Sequence, residues 1–208
     1  MDHRLPQLLA KRLAEPLPGP MVGSRFESRP RLRQQDNPPP QGARAAAVLI
    51  LLYRHQGRWH LPLTLRPSHL ADHAGQISLP GGALEPDETS CGAAVREFRE
   101  ELGGGGEIEL LGRLSPLYVH TSNFLVTPWV GTTATRPELV PNPAEVEEVF
   151  EIPLDHLLDA ANFGSHFRMR RGRPCTAPHF VWKSHRIWGA TCMILGELIT
   201  VIEEVVSY

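Results

Sequence analysis

Three carboxylates set the chemical question. Glu97, Glu100 and Glu101 stand at i, i+3 and i+4 within Leu79 to Gly104, LPGGALEPDETSCGAAVREFREELGG. On a helix of 3.6 residues per turn they line one edge. Like charges at those spacings repel by roughly 0.2–0.5 kcal/mol a pair, so a cation would relieve them. Hard divalent ions take oxygen ligands, and Mg²⁺ is commonly held by a few carboxylates together with substrate phosphates. The chemistry this predicts is capture of a divalent ion that could in turn grip substrate phosphates. Glu97, Glu100 and Glu101 are therefore candidate ligands for Mg²⁺ or Mn²⁺, and Glu97 and Glu100 are candidate catalytic groups as well. Arg96 lies one turn before Glu100, where it could orient that carboxylate.

A helix must carry these groups and a turn must aim it. Thr89 or Ser90 can cap the helix, and the glycine run from Gly103 to Gly106 ends it. Cys91, Ala94, Val95, Phe98 and Leu102 fall on one stripe, expected to be buried, with the glutamates on the adjacent stripe. Ahead of the helix, Pro80-Gly81-Gly82 reads as a loop whose glycines allow close backbone approach near a ligand. Gly81 and Gly82 are accordingly candidate substrate-binding positions. Taken alone, the glutamates read more readily as a solvated acidic face.

The spacing of the whole stretch decides against that. Gly82-x5-Glu88-x7-Arg96-Glu97-Phe98-x-Glu100-Glu101-x-Gly103 resembles the Nudix box at every defined position. One departure follows it: Gly104 stands where an aliphatic residue is usual, which should alter packing at the helix end. The resemblance implies an α/β fold, a Nudix-type α/β/α sandwich with a mixed sheet and the box helix packed on it.

Composition fits that reading. The chain has 208 residues, 41% of them hydrophobic, enough for one domain with a proper core. The formal net charge is −2, so no global signal for nucleic acid exists. Cys91, Cys175 and Cys192 form no CxxC pair, which argues against a disulfide framework or structural zinc. Without a membrane-length apolar run or a secretory signal, the expected compartment is the cytoplasm.

Along the chain, Leu5, Leu8, Leu9 and Leu13 predict a short amphipathic helix, to pack on the domain or on a second copy in a homodimer. Leu17 to Gly42 is rich in proline and arginine and reads as a tether. Residues 1–44 are thus set apart from a Nudix domain at 45–208. Strands are expected over Ala45–Tyr53, Trp59–Leu65, Ile108–Leu114, Leu117–His120 and Phe124–Gly131, with Arg54 to Arg58 as a hairpin turn. Leu154–Leu158 should be a short helix. Phe167–Met169 and Phe180–Trp182 should pair as a hairpin, and Trp188 should open a long last helix.

The flanks narrow the family. Leu63-Thr64-Leu65-Arg66, then Gly75, then Leu79-Pro80-Gly81-Gly82 resembles the signature of Nudix hydrolases that cleave coenzyme A. Pro62, Pro67, Ala71 and Leu79 depart from it, and Ala71 replaces an arginine that would suit a phosphate. Ser122-Asn123-Phe124, Glu145-Val146 and Ile187-Trp188-Gly189-Ala190-Thr191 look like segments of the same subfamily, so the resemblance runs from about Ala45 to Leu198. It implies a small nucleoside diphosphate substrate like coenzyme A, giving 3′,5′-ADP and 4′-phosphopantetheine, with Arg66 as a candidate phosphate ligand. Glu145, Glu147 and Glu148 are candidate general bases. His69 and His73 are poor candidates for proton shuttles, and Trp188 reads as a core aromatic more readily than a stacking platform. The alternatives are another substrate, such as ADP-ribose or a modified nucleotide, and a non-catalytic binding module; the intact glutamates speak against the second.

Overall fold

The computed structural model describes residues 3–20, 39–67, 75–104, 106–170 and 173–206. His69, Ala71 and His73, and most of the proline- and arginine-rich segment, lie outside them.

The organising strand is β1 (Arg44–His55), a nearly unbroken apolar run. It is buried on both faces, which removes the polar alternation a half-exposed strand would show. Ala47, Leu49, Leu51 and Tyr53 pack with Ala93, Ala94, Phe98 and Leu102 of α2 (Ser90–Leu102). On the opposite face, Ala46, Ile50 and Leu52 join α1 (Leu5–Leu13) and the last helix. One strand thus holds helices on two sides, and that makes the α/β/α sandwich.

The sheet is mixed, as expected. β2 (Arg58–Leu65) pairs antiparallel with β1. The turn between them is tighter than Arg54–Arg58: only Gln56 and Gly57 lie outside the strands, both with positive φ. That matches the two-residue turn whose twist suits a hairpin. β3 (Ile77–Ser78) adds to β2. Gly81–Ala83 is not a loop but a short strand, β4, antiparallel to Ala46–Val48. After α2 come β5 (Glu109–Arg113) and β6 (Leu117–Val119), both on β7 (Phe124–Thr132). β7 runs parallel to β1 from Arg44↔Phe124 to Leu52↔Thr132. β8 (Glu148–Pro153) returns beside β2 and leads into α3 (Leu154–Leu158).

A second sheet of three strands follows: β9 (Phe163–Arg170), β10 (Arg173–Trp182) and β11 (His185–Trp188). The expected hairpin exists but in another register. Phe167 faces Thr176, and Phe180 faces Phe163. Trp188 closes β11 and does not start the helix; α4 spans Gly189–Val206. α1 settles against α4 and β5, with Leu5, Leu9 and Leu13 in the main core. No helix among the described residues is long and apolar enough to cross a membrane.

Candidate active site

The site is built where β4, α2 and the segment after β7 meet. α2 starts at Thr89, whose hydroxyl accepts from the Gly92 amide at 3.2 Å. It stops at Gly103. The orphan carbonyls of its last turn are taken by a neighbouring segment: Val140 N donates to Leu102 O at 2.7 Å, and Asn142 N to Glu101 O at 2.8 Å. Gly104, the departure from the box pattern, sits in that seam. Its φ is +44°, and a Cβ there would collide with the Glu138 carbonyl. This docking brings Glu145 in, because its amide bonds Asn142 O at 3.0 Å.

The three glutamates do not share one environment. Glu101 is 3% exposed and lies on the buried side with Phe98 and Leu102, not on a separate stripe. Glu97 is half-buried and Glu100 is exposed. Cys91, expected on the buried stripe, is only half-buried, and Ala93 takes that place.

Arg96 is the hub of the arrangement. Its Nε and Nη2 donate to the two Glu88 oxygens, each at 2.9 Å, and Nη2 also reaches Ala83 O at 3.1 Å. Its Nη1 donates to Glu97 Oε1 and to Glu100 Oε2, both at 3.0 Å. A guanidinium is a rigid fork suited to such multiple pairing. These partners hold it firmly protonated, and in turn it keeps Glu88 below the usual carboxylate range. Glu88, which fixes Arg96 from the helix entry, had no role in the sequence reading. The signal was its fixed position seven residues plus one before Arg96.

Gly81 and Gly82 meet the glutamates. The Gly81 amide donates to Glu101 Oε1 at 3.2 Å. A Cβ on Gly81 would run into the Ala47 carbonyl, and one on Gly82 would overlap the Glu97 carboxylate. The glycines therefore let β4 lie directly over both acids.

Electrostatics divide the acids. Burial pushes the Glu101 carboxyl up to about 7, opposed by the Gly81 amide and the charge of Arg66, and aided by Glu145 and Glu97. Glu97 is also raised, first by burial, against the pull of Arg96. The Glu101 carboxylate has a single hydrogen bond among the described residues. A buried anion so poorly paired is what a divalent cation would relieve. The donor set thus fits Mg²⁺ or Mn²⁺. Among the described residues no three acid, histidine or cysteine side chains yet converge on one point; Glu97 and Glu100 both lean on Arg96. Arg66 Nε is buried without a partner among the described residues, and its backbone is fixed by Gln76 O at 3.0 Å.

The fold is a mixed sheet between helices, with a glutamate helix lying under a glycine strand. The NUDIX domain family matches residues 43–171, and this chain belongs to it. It is similar to the uncharacterized Nudix hydrolase NudL of Photorhabdus laumondii, 35% identical over 81% of this chain and 92% of the relative. It is similar also to the mitochondrial coenzyme A diphosphatase NUDT8 of Mus musculus, 40% identical over 72% of this chain and 74% of the relative. Among solved structures, a MutT/nudix family protein from Enterococcus faecalis matches with a TM-score of 0.49 and 17% identity, over 84% of this chain and 66% of that one. The chain is accordingly a hydrolase acting on phosphorus anhydrides in small nucleotide derivatives, a family chemistry that generally uses divalent metals.

Proposed function

We propose that this protein hydrolyses the diphosphate bond of coenzyme A or its derivatives, giving 3′,5′-ADP and 4′-phosphopantetheine or its acyl form. The observation that carries the chemistry is the pair Glu97 and Glu101, one turn apart, desolvated beneath Gly81 and Gly82. The substrate follows from the sequence pattern around Arg66 and Gly82 and from the mouse relative, whose name is coenzyme A diphosphatase.

Glu97 and Glu101 would hold Mg²⁺ or Mn²⁺, with Glu100 as the third carboxylate on the same helix. The metal would neutralise phosphate oxygens and lower the pKa of a water. Arg96 keeps Glu97 oriented through Glu88 and Ala83. Arg66, whose charge is felt at Glu101, would receive a phosphoryl oxygen, meeting charge that grows in the transition state. Glu145, brought near by the 138–142 segment, accepts the water proton. β4 excludes water from the Glu101 side. The setting is a small-molecule enzyme in the cytoplasm, with no nucleic acid partner.

The test is a substrate panel with Mg²⁺ or Mn²⁺, read by chromatography, on the wild type and Glu97→Gln. Coenzyme A should be cleaved, and Glu97→Gln should lose about 1,000-fold in kcat/KM while keeping its unfolding temperature. Cleavage of ADP-ribose with coenzyme A untouched overturns the substrate. Full turnover in Glu97→Gln overturns the site.

A further inference from the structure

The second sheet carries a cluster that the hydrolytic site does not use. On one face of β9, β10 and β11, Gly164, His179 and Trp188 form a cross-strand row. His166 lies next along β9, with its ring 4.9 Å from that of His179 and 6.3 Å from that of Trp188. The Nδ1 atoms of the two histidines are 3.1 Å apart, so one donates and the other accepts. Arg168, exposed on the same face, folds back until its guanidinium carbon is 4.2 Å from the centre of the Trp188 ring.

Space is left beside this group. Gly164 presents no side chain to His179, where a Cβ would already touch the ring at 3.6 Å. Gly189, directly after Trp188, has nothing within 4 Å of where a Cβ would stand. The charge of the cluster is cationic and sits on guanidinium groups. His166 is held below its ordinary range by burial first, then by Arg186 and Arg168.

α4, which begins directly after Trp188, is linked toward Arg66 through three residues. Thr191, at the start of α4, donates to Ile77 O at 3.3 Å. Its neighbour Gln76 accepts from the Arg66 amide at 3.0 Å. β11, which Trp188 closes, also packs beside β3, the strand that begins directly after Gln76.

An indole face, a guanidinium and the His166 imidazole, seated on the buried His179, match an aromatic base joined to a phosphate monoester. We propose that Trp188, Arg168, His166 and His179 form the platform that binds the nucleoside end of the substrate, an adenosine bearing a ribose phosphate. The base stacks at Trp188 and the monoester pairs with Arg168. The identity of that ligand rests on the coenzyme A reading; the platform itself does not.

The experiment uses the full chain without divalent metal, so that nothing turns over. Adenosine 3′,5′-bisphosphate, adenosine 5′-monophosphate and inorganic phosphate are titrated by calorimetry into wild type, Arg168→Ala and Trp188→Leu. Wild type should prefer the bisphosphate over the monophosphate by about tenfold. Arg168→Ala should erase that preference, and Trp188→Leu should weaken both nucleotides by about tenfold. With Mg²⁺, Arg168→Ala should raise KM for coenzyme A about tenfold, with far less change in kcat and none in KM for the form lacking the 3′-phosphate. Equal affinity for the two nucleotides in wild type, or unchanged affinities in both variants, overturns the platform. Coenzyme A left uncleaved while these binding differences persist would instead overturn the substrate reading alone.

Discussion

Two buried glutamates lie on opposite faces of the sheet, and their surroundings differ. Glu101 on α2 and Glu197 on α4 are 3% and 0% exposed, and burial raises the carboxyl of each. Glu197 is fully answered by its neighbours: Ser115 Oγ at 2.6 Å, Ser115 N at 3.1 Å and Gly19 N at 3.0 Å. It ties the chain after α1 and the turn after β5 onto α4. Glu101 has one amide, a distant guanidinium and two acidic neighbours. Burial alone therefore does not mark a working acid. What marks it is burial with too few donors, because the remaining charge must be met by something that arrives.

That contrast can be broken from the Glu197 side first. Glu197→Ala should destabilise the protein by about 3 kcal/mol, since it leaves a hydroxyl and two amides unpaired in a core site. Turnover per folded molecule should not change, and denaturant titration alongside an activity assay checks both. Lost turnover in a folded variant would mean the two acids are not different in kind.

The Glu101 side is sharpened by pH. Its carboxyl titrates near 7 in the folded chain against an ordinary value of 4.5. A raised acid stabilises the fold below 4.5, and that contribution is lost as pH rises through 7. The loss is on the order of 3 kcal/mol at most. His60, His166 and His179 lie below their ordinary values and act oppositely, losing stability as pH falls below 6.5. The difference between wild type and Glu101→Gln removes them. Without divalent metal, thermal unfolding should show Glu101→Gln gaining on wild type between pH 5 and 8; a flat difference would contradict the electrostatics.

The smallest effect concerns the seam at the end of α2. Gly104→Ala should destabilise by about 1–2 kcal/mol, from a positive φ and the collision with Glu138. It should lower turnover modestly by loosening the segment that holds Glu145. An unchanged unfolding midpoint would show that the 138–142 segment is not held there.

Much of this was legible in the residues. The box spacing located α2, narrowed its cap to Thr89 or Ser90 and placed its end in the glycine run from Gly103, because periodicity and capping are local. The continuous apolar run located β1, because burial on both faces leaves no polar alternation. Glycine at 81 and 82 was read as loop chemistry, whereas both lie in a strand pressed onto two carboxylates. Only the tertiary approach of β4 to Ala47 and Glu97 decides that. The role of Glu88 needed the reach of Arg96 across the helix entry. Glu197 carried no signal at all, since its donors come from 82 and 178 residues away in sequence. Trp188 was assigned to the core, but its cross-strand neighbours leave it half-buried beside Arg168.

The central claim is that the underpaired charge at Glu101, with Glu97 one turn away, is met by a divalent ion. Mn²⁺ binding, counted by electron paramagnetic resonance at pH 8, tests it most directly on wild type, Glu97→Gln, Glu101→Gln and Glu197→Gln. The tight site should be present in wild type and Glu197→Gln and weakened at least tenfold in the other two. Tight Mn²⁺ binding that survives both α2 substitutions would contradict the account.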